Sequence, residues 1–139
     1  MNHFDANAVG AKGEDVAEGF LIKRGWHILS RNFRESGGEL DIIGYKRGIL
    51  VYFEVKTRTN DKFGRPADAV DNDKIRFMLR AVYAFRKAYV RRGKVPVFYP
   101  LGITLNRRVA KQRIDIIEVY LDRDLKPIKV NHIEEAKTL

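Results

Sequence analysis

A chain of 139 residues is one domain's worth of sequence, too short for two independent cores, which excludes a multidomain enzyme. Hydrophobic residues make up 45% and charged residues 32%, enough apolar surface for a real core, which excludes a disordered chain. Cysteine is absent, excluding a disulfide framework, a zinc knuckle and a thiol nucleophile, and the net charge of +9 points to an acidic partner.

In chain order, the start MNHFDANAVG has no apolar signal core, and no run approaches the roughly 18 residues of a membrane span, so the expectation is a cytoplasmic protein. No repeat, low-complexity tract or Pro/Gly-rich linker interrupts the chain. It reads as a single domain over 1–139, with a core from about 10 to 121 and a short C-terminal tail from 122 to 139. Val16, Ala17, Phe20 and Leu21 recur at helical spacing and predict a helix from Ala11 to Arg24, ended by Gly25. Trp26 to Arg31 reads as a short strand. Glu39 to Tyr45 and Ile49 to Thr57 are stronger strands, joined by Lys46, Arg47 and Gly48 as a hairpin.

A polar loop, Thr59 to Pro66, precedes a long helix from about Asp71 to Arg92. Asp71 caps it, Gly93 ends it, and Ile75, Met78, Leu79, Val82, Phe85 and Tyr89 form its apolar stripe. Val97 to Leu105 and Ile114 to Leu121 read as strands, and a short helix is expected near Ile133 to Lys137. The order predicts a mixed α/β fold with a central sheet. Between Lys74 and Ile114 the chain carries 12 basic residues and no acid, while the remainder holds 15 bases and 18 acids. A single-sign block of this kind suits the phosphates of a nucleic acid, with a solvated helix face as the plain alternative; segregation suited to an anionic membrane is missing.

The chemistry gathers in the hairpin. On Ile49–Thr57, Ile49, Val51, Phe53 and Val55 share one face, and Leu50, Tyr52, Glu54 and Lys56 the other. On the preceding strand, Leu40 and Ile42 are expected on one side and Glu39, Asp41 and Ile43 on the opposite one. A two-residue turn at Arg47 and Gly48 sets Asp41 against Glu54 and Glu39 against Lys56. Carboxylates brought together on buried strands repel unless a cation sits between them. Hard oxygen donors without Cys or nearby His suit Mg²⁺ or Mn²⁺, ions that take one or two carboxylates plus a substrate phosphate. Lys56 stands near enough to orient or deprotonate a water, or to offset charge building on phosphorus. The plain alternative is a cross-strand salt bridge. Glu14 shares a helix face with Ala17 and Leu21, in line with the core; alone it reads as a first-turn acid favoured by the helix dipole. Lys74, at the start of the long helix, and Arg58, just beyond Lys56, are candidate phosphate contacts. His3, His27 and His132 show no ligand spacing, and Gly10, Lys12 and Gly13 do not form a phosphate loop.

Gly13-Glu14 opening a helix, then Gly38-Glu39-Leu40-Asp41, then Glu54-Val55-Lys56-Thr57-Arg58 resembles the PD-(D/E)xK nuclease core. More specifically, the chain resembles the bacterial YraN-like family, itself similar to archaeal Holliday junction resolvases. Further matches run through Asn32, Arg34, Phe63-Gly64-x-Pro66, Ala69-Val70, Lys74 and Arg113-Ile114-Asp115. The resemblance implies a restriction-endonuclease-like αβββαβ core with a mixed sheet flanked by helices. It implies Asp41 and Glu54 as metal ligands, with Glu39 as an additional candidate, Lys56 as the catalytic lysine, and Glu14 as the acid that assists the metal or its water. The implied activity is metal-dependent hydrolysis of DNA in preference to RNA, with branched DNA as an expected substrate and a homodimer as an expected assembly. The alternative is a nucleic-acid-binding protein that keeps the fold with little or no turnover. Residues 95 to 112 exceed the expected connection and either insert a strand, extend the sheet or serve dimerisation.

Overall fold

The computed structural model describes residues 5–59 and 72–139. Helix α1 spans Ala6–Lys23, five residues earlier than its periodicity predicts, because Asp5 accepts a hydrogen bond from the Ala8 amide at 2.7 Å and caps it. It ends as expected at Gly25, in the left-handed region at φ +89, where the Trp26 amide turns back to the Leu21 carbonyl. Strands β1 (His27–Glu35), β2 (Gly38–Lys46) and β3 (Ile49–Arg58) follow, then helix α2 (Asn72–Tyr89). The loop expected before α2, its Phe63, Gly64, Pro66, Ala69 and Val70 matches and the Asp71 cap lie outside the described residues, apart from Thr59. Helix α2 stops before Arg92, and Val90 to Gly93 turn the chain instead.

The stretch expected as one strand from Val97 to Leu105 is a hairpin. β4 (Lys94–Tyr99) and β5 (Ile103–Arg108) pair as a separate two-stranded sheet across a 3-10 turn at Pro100–Gly102. Pro100 and Gly102 supply the break that an apolar run conceals. β6 (Lys111–Leu121) returns to the main sheet, parallel to β3. The helix expected near Ile133 to Lys137 is instead part of β7 (Pro127–Thr138), antiparallel to β6. Local preference for helix in Glu134-Glu135-Ala136-Lys137 yields there to pairing with a buried neighbour.

The main sheet has the order β1-β2-β3-β6-β7. One helix packs on each face: α2 over Leu40, Ile43, Leu50 and Tyr52, and α1 over Ile42, Val51, Phe53 and Ile117. The αβββαβ order is present as α1 β1 β2 β3 α2 β6, with β4–β5 inserted and β7 added at the edge. It is the restriction-endonuclease-like α/β arrangement. Arg47 and Gly48 form the two-residue turn, and β2–β3 pairing runs from Lys46 and Ile49 to Ile42 and Phe53 in the expected register. The facing of β3 is also as expected. On β2 it is not: Leu40 packs with Ile43 on the α2 side while Ile42 faces α1. Pairing with β3 stops at Ile42, and the Val55 amide donates to the Asp41 carboxylate at 2.8 Å, so the alternation breaks at Asp41. Among the described residues, no helix is long and apolar enough to cross a membrane.

Candidate active site

The fork between β2 and β3 brings together Asp41, Glu54, Glu14 and Lys74 of the predicted residues. Beyond Ile42 and Phe53 the strands separate, and Asp41 and Glu54 sit at the mouth of the gap with their carboxyls in hydrogen-bonding reach of each other. Glu54 is only 9% exposed. Burial, then the charge of Asp41, pushes the Glu54 carboxyl up to about 7, against the opposing pull of Lys74. Burial likewise raises Asp41, while the Val55 amide and the Lys74 charge draw it down. Near neutral pH the Glu54 carboxyl is therefore about half protonated beside Asp41, a position that a cation would take over.

Two close approaches bring the helices to this point. A side chain at Gly13 would place its Cβ 1.8 Å from the Thr57 hydroxyl, and one at Gly38 would sit 2.4 Å from the Phe77 carbonyl of α2. Only glycine at these positions lets α1 lie against β3 and α2 against the start of β2. Glu14 comes with α1. Burial raises its carboxyl, the Asp41 charge adds to that, and Arg31 at 3.6 Å and Asn32 oppose it. Arg31, which no sequence motif marks, also bonds Asp15 and Glu18 at 2.8 Å and so fixes the acidic face of α1 to β1. Its signal was only the acid spacing of that helix.

Lys74 comes with α2, and its Nζ lies 3.4 Å from Glu54 Oε1. Glu39 turns to Arg34 across β1, at 3.2 Å, while its charge still bears on Asp41 and Glu14. Lys56 is half-buried on β3, two residues past Glu54. Arg58 closes the strand beside Tyr120, whose phenol feels its charge. Asp41, Glu54, Glu14 and Lys74 are thus one electrostatic unit. Among the described residues, no group of three or more His, Cys, Asp or Glu side chains is set to hold a metal. The donor set that fits a cation is the Asp41–Glu54 pair: two hard oxygen donors at the open end of a sheet, leaving positions for water and phosphate. That is how Mg²⁺ is commonly held.

A family model described as uncharacterised protein family UPF0102 matches residues 13–119. The chain belongs to this family. A UPF0102 protein of Caldanaerobacter subterraneus subsp. tengcongensis is 34% identical over 137 residues, 98% of this chain and 99% of its own length. One from Flavobacterium psychrophilum is 37% identical over 130 residues, covering 94% and 93%. A third, from Chloroherpeton thalassium, reaches 45% over 78 residues, 56% of this chain and 60% of that protein. UPF0102 is the YraN family that the motifs pointed to, uncharacterised and nuclease-like in fold.

Proposed function

We propose that this UPF0102 protein is a metal-dependent endonuclease that hydrolyses phosphodiester bonds in DNA, branched DNA included. The observation that carries the reading is the buried contact of Asp41 with Glu54 at the fork of β2 and β3. Asp41 and Glu54 would hold Mg²⁺ or Mn²⁺, which when bound supplies charge neutralisation at a phosphate and a more acidic water. Glu39, bonded to Arg34, contributes through its field rather than as a donor. Lys56, on the strand just beyond Glu54, orients the attacking water and offsets charge on the reacting phosphate. Glu14, whose carboxyl is raised by burial and by Asp41, would accept a proton once the pair is neutralised. With a cation held at Glu54, Lys74, whose Nζ lies 3.4 Å from Oε1, would be placed to meet a phosphate, and Arg58 would contact the backbone further along.

The rival reading is a nucleic-acid-binding protein without turnover. One feature favours it: the Lys74 ammonium 3.4 Å from Glu54 already gives that carboxylate a countercharge. Incubation of the protein with labelled duplex, single-stranded and four-way-junction DNA, in Mg²⁺, Mn²⁺ or EDTA, separates the two. Metal-dependent cleavage that disappears in Asp41→Asn and in Lys56→Ala is the expected result. Binding by gel shift with no cleavage in either metal overturns the enzyme in favour of the binder, and absence of both overturns each.

A further inference from the structure

The end of the sheet opposite the carboxyls carries two turns of the same kind. Lys46-Arg47-Gly48-Ile49 joins β2 to β3, with Arg47 at φ +48 and Gly48 at +85. Arg91-Arg92-Gly93-Lys94 leads into β4, with Arg92 at φ +53 and Gly93 at +71, and Arg91 and Lys94 exchange both backbone hydrogen bonds. Each has the positive-φ pair of a type I′ turn, whose first position usually goes to Asn, Asp or Gly because other side chains are strained there. The turn geometry itself gives no reason for arginine at either position. The turns are also latched side by side: the Val109 amide donates to the Gly93 carbonyl at 2.7 Å, and the next amide, Ala110, to the Gly48 carbonyl at 2.8 Å.

More cations converge on the pair. Arg107 and Arg108 immediately precede the latch, and Arg107 Nε donates to the Tyr99 hydroxyl at 2.9 Å. Arg24, Lys46, Arg47 and Arg107 line a cleft of about 480 Å³, in which Lys46 Nζ donates to the Arg24 carbonyl at 2.6 Å. Arg91, Arg92 and Lys94 line a second cleft of about 420 Å³. Among the described residues none of these cations makes an ion pair with a carboxylate; the nearby acids, Glu134 and Glu135, are taken by Arg113 and Lys111. Helix dipoles account for Arg24, Arg91 and Arg92, which follow helix C-termini. They do not account for Arg47, Arg107 or Arg108.

We propose that the paired Arg-Gly turns form a second phosphate-binding surface, which grips the backbone of a nucleic acid away from the carboxyls. The surface rests on the nucleic-acid part of the reading above and not on catalysis. A guanidinium on each of two turns held side by side suits two backbone phosphates, since each fork can meet a phosphate in bidentate fashion. The contacts are blind to sequence.

Arg47→Asn with Arg92→Asn tests this, because Asn accepts the left-handed backbone and removes only the charge. The comparison is an equal loss of charge at exposed Arg123 and Lys126, as Arg123→Gln with Lys126→Gln, in the β6–β7 turn. Binding to a labelled duplex is read by anisotropy in EDTA across a salt series. The Asn pair is expected to weaken binding about tenfold at low salt and to make the slope of log K against log salt shallower by about 1.8, two phosphate contacts' worth. The Gln pair is expected to change both far less. Equal behaviour of the two pairs, or wild-type affinity and slope in the Asn pair, overturns the proposal while leaving the nuclease reading intact. Weakened binding in the Asn pair with no cleavage by the wild-type protein in any metal upholds this surface and overturns the nuclease.

Discussion

Glu54 carries electrostatic tension at the residue scale, because a carboxyl that is 9% exposed and beside another carboxyl is hard to ionise. Its folded value of about 7 exceeds the 4.5 of an unperturbed carboxyl, so the folded protein binds this proton more tightly than the unfolded chain does. The stabilisation from that proton is complete below pH 4.5 and is lost as pH rises through about 7. Asp41, raised in the same direction, adds to the fall. Glu54→Gln keeps the shape and removes the titration. In EDTA, the variant is expected to melt higher than wild type at pH 8, by at most about 3 kcal/mol in stability. At pH 4 to 5 the two should converge. Thermal melts at pH 4.5, 6 and 8 check this; a variant less stable than wild type at pH 8 would mean that the Lys74 pairing outweighs carboxyl repulsion.

Strand β7 shows at the scale of elements how one buried side chain decides pairing. Asp115 on β6 is fully buried and accepts hydrogen bonds from Arg113 Nε at 2.8 Å and from the Glu135 amide at 2.9 Å, with His132 Nε2 at 2.7 Å. The β6–β7 register shifts between Ile114 and Ile116, and Glu135 stands at φ +54 in the bulge that the carboxylate fills. Asp115→Ala removes the buried partner of Arg113 and leaves it only the exposed Glu134 at 3.7 Å, so a loss of roughly 3–5 kcal/mol is expected. Urea unfolding measures it, and a loss under about 1 kcal/mol would show that β7 holds without the network. Arg113 and Asp115 stood out in the chain only as a motif match, and their β7 partners did not: His132 stands alone in sequence, and Glu134 to Lys137 has helix-forming composition with no sign of the acid it must reach. The β2–β3 hairpin, by contrast, was legible down to register, because alternation and a two-residue turn are local signals. Its fork was not, since the break at Asp41 comes from a side chain replacing a ladder bond. The meeting of Asp41 with Glu54 was readable from the strand register, whereas the closeness of Lys74 to Glu54 depends on α2 packing against Gly38, a tertiary contact without a pattern in the chain.

Charge sorts by end across the whole molecule. The basic block seen in the sequence divides along α2, sending Lys74 to the carboxyls and Arg91, Arg92 and Lys94 to the opposite end, where Arg24, Lys46 and Arg47 join from elsewhere in the chain. Five steps of extended chain run from Ile49, next to the turn, to Glu54, roughly 17 Å at about 3.3 Å per residue. The Debye length is about 8 Å at physiological ionic strength and about 30 Å at 0.01 M, so the two ends are screened from each other in the first condition and coupled in the second. If Mg²⁺ binds at Asp41 and Glu54, it raises the melting temperature at pH 8 by binding the folded state alone. Arg47→Asn with Arg92→Asn is expected to leave that rise unchanged at 0.15 M salt. At 0.01 M the same variant should show a larger rise, because two distant positive charges no longer oppose a divalent cation. Melts with and without Mg²⁺ at both ionic strengths decide it. A change at 0.15 M would mean that the ends communicate through the strands themselves, and no rise in the wild-type protein would remove the metal from the carboxyl pair.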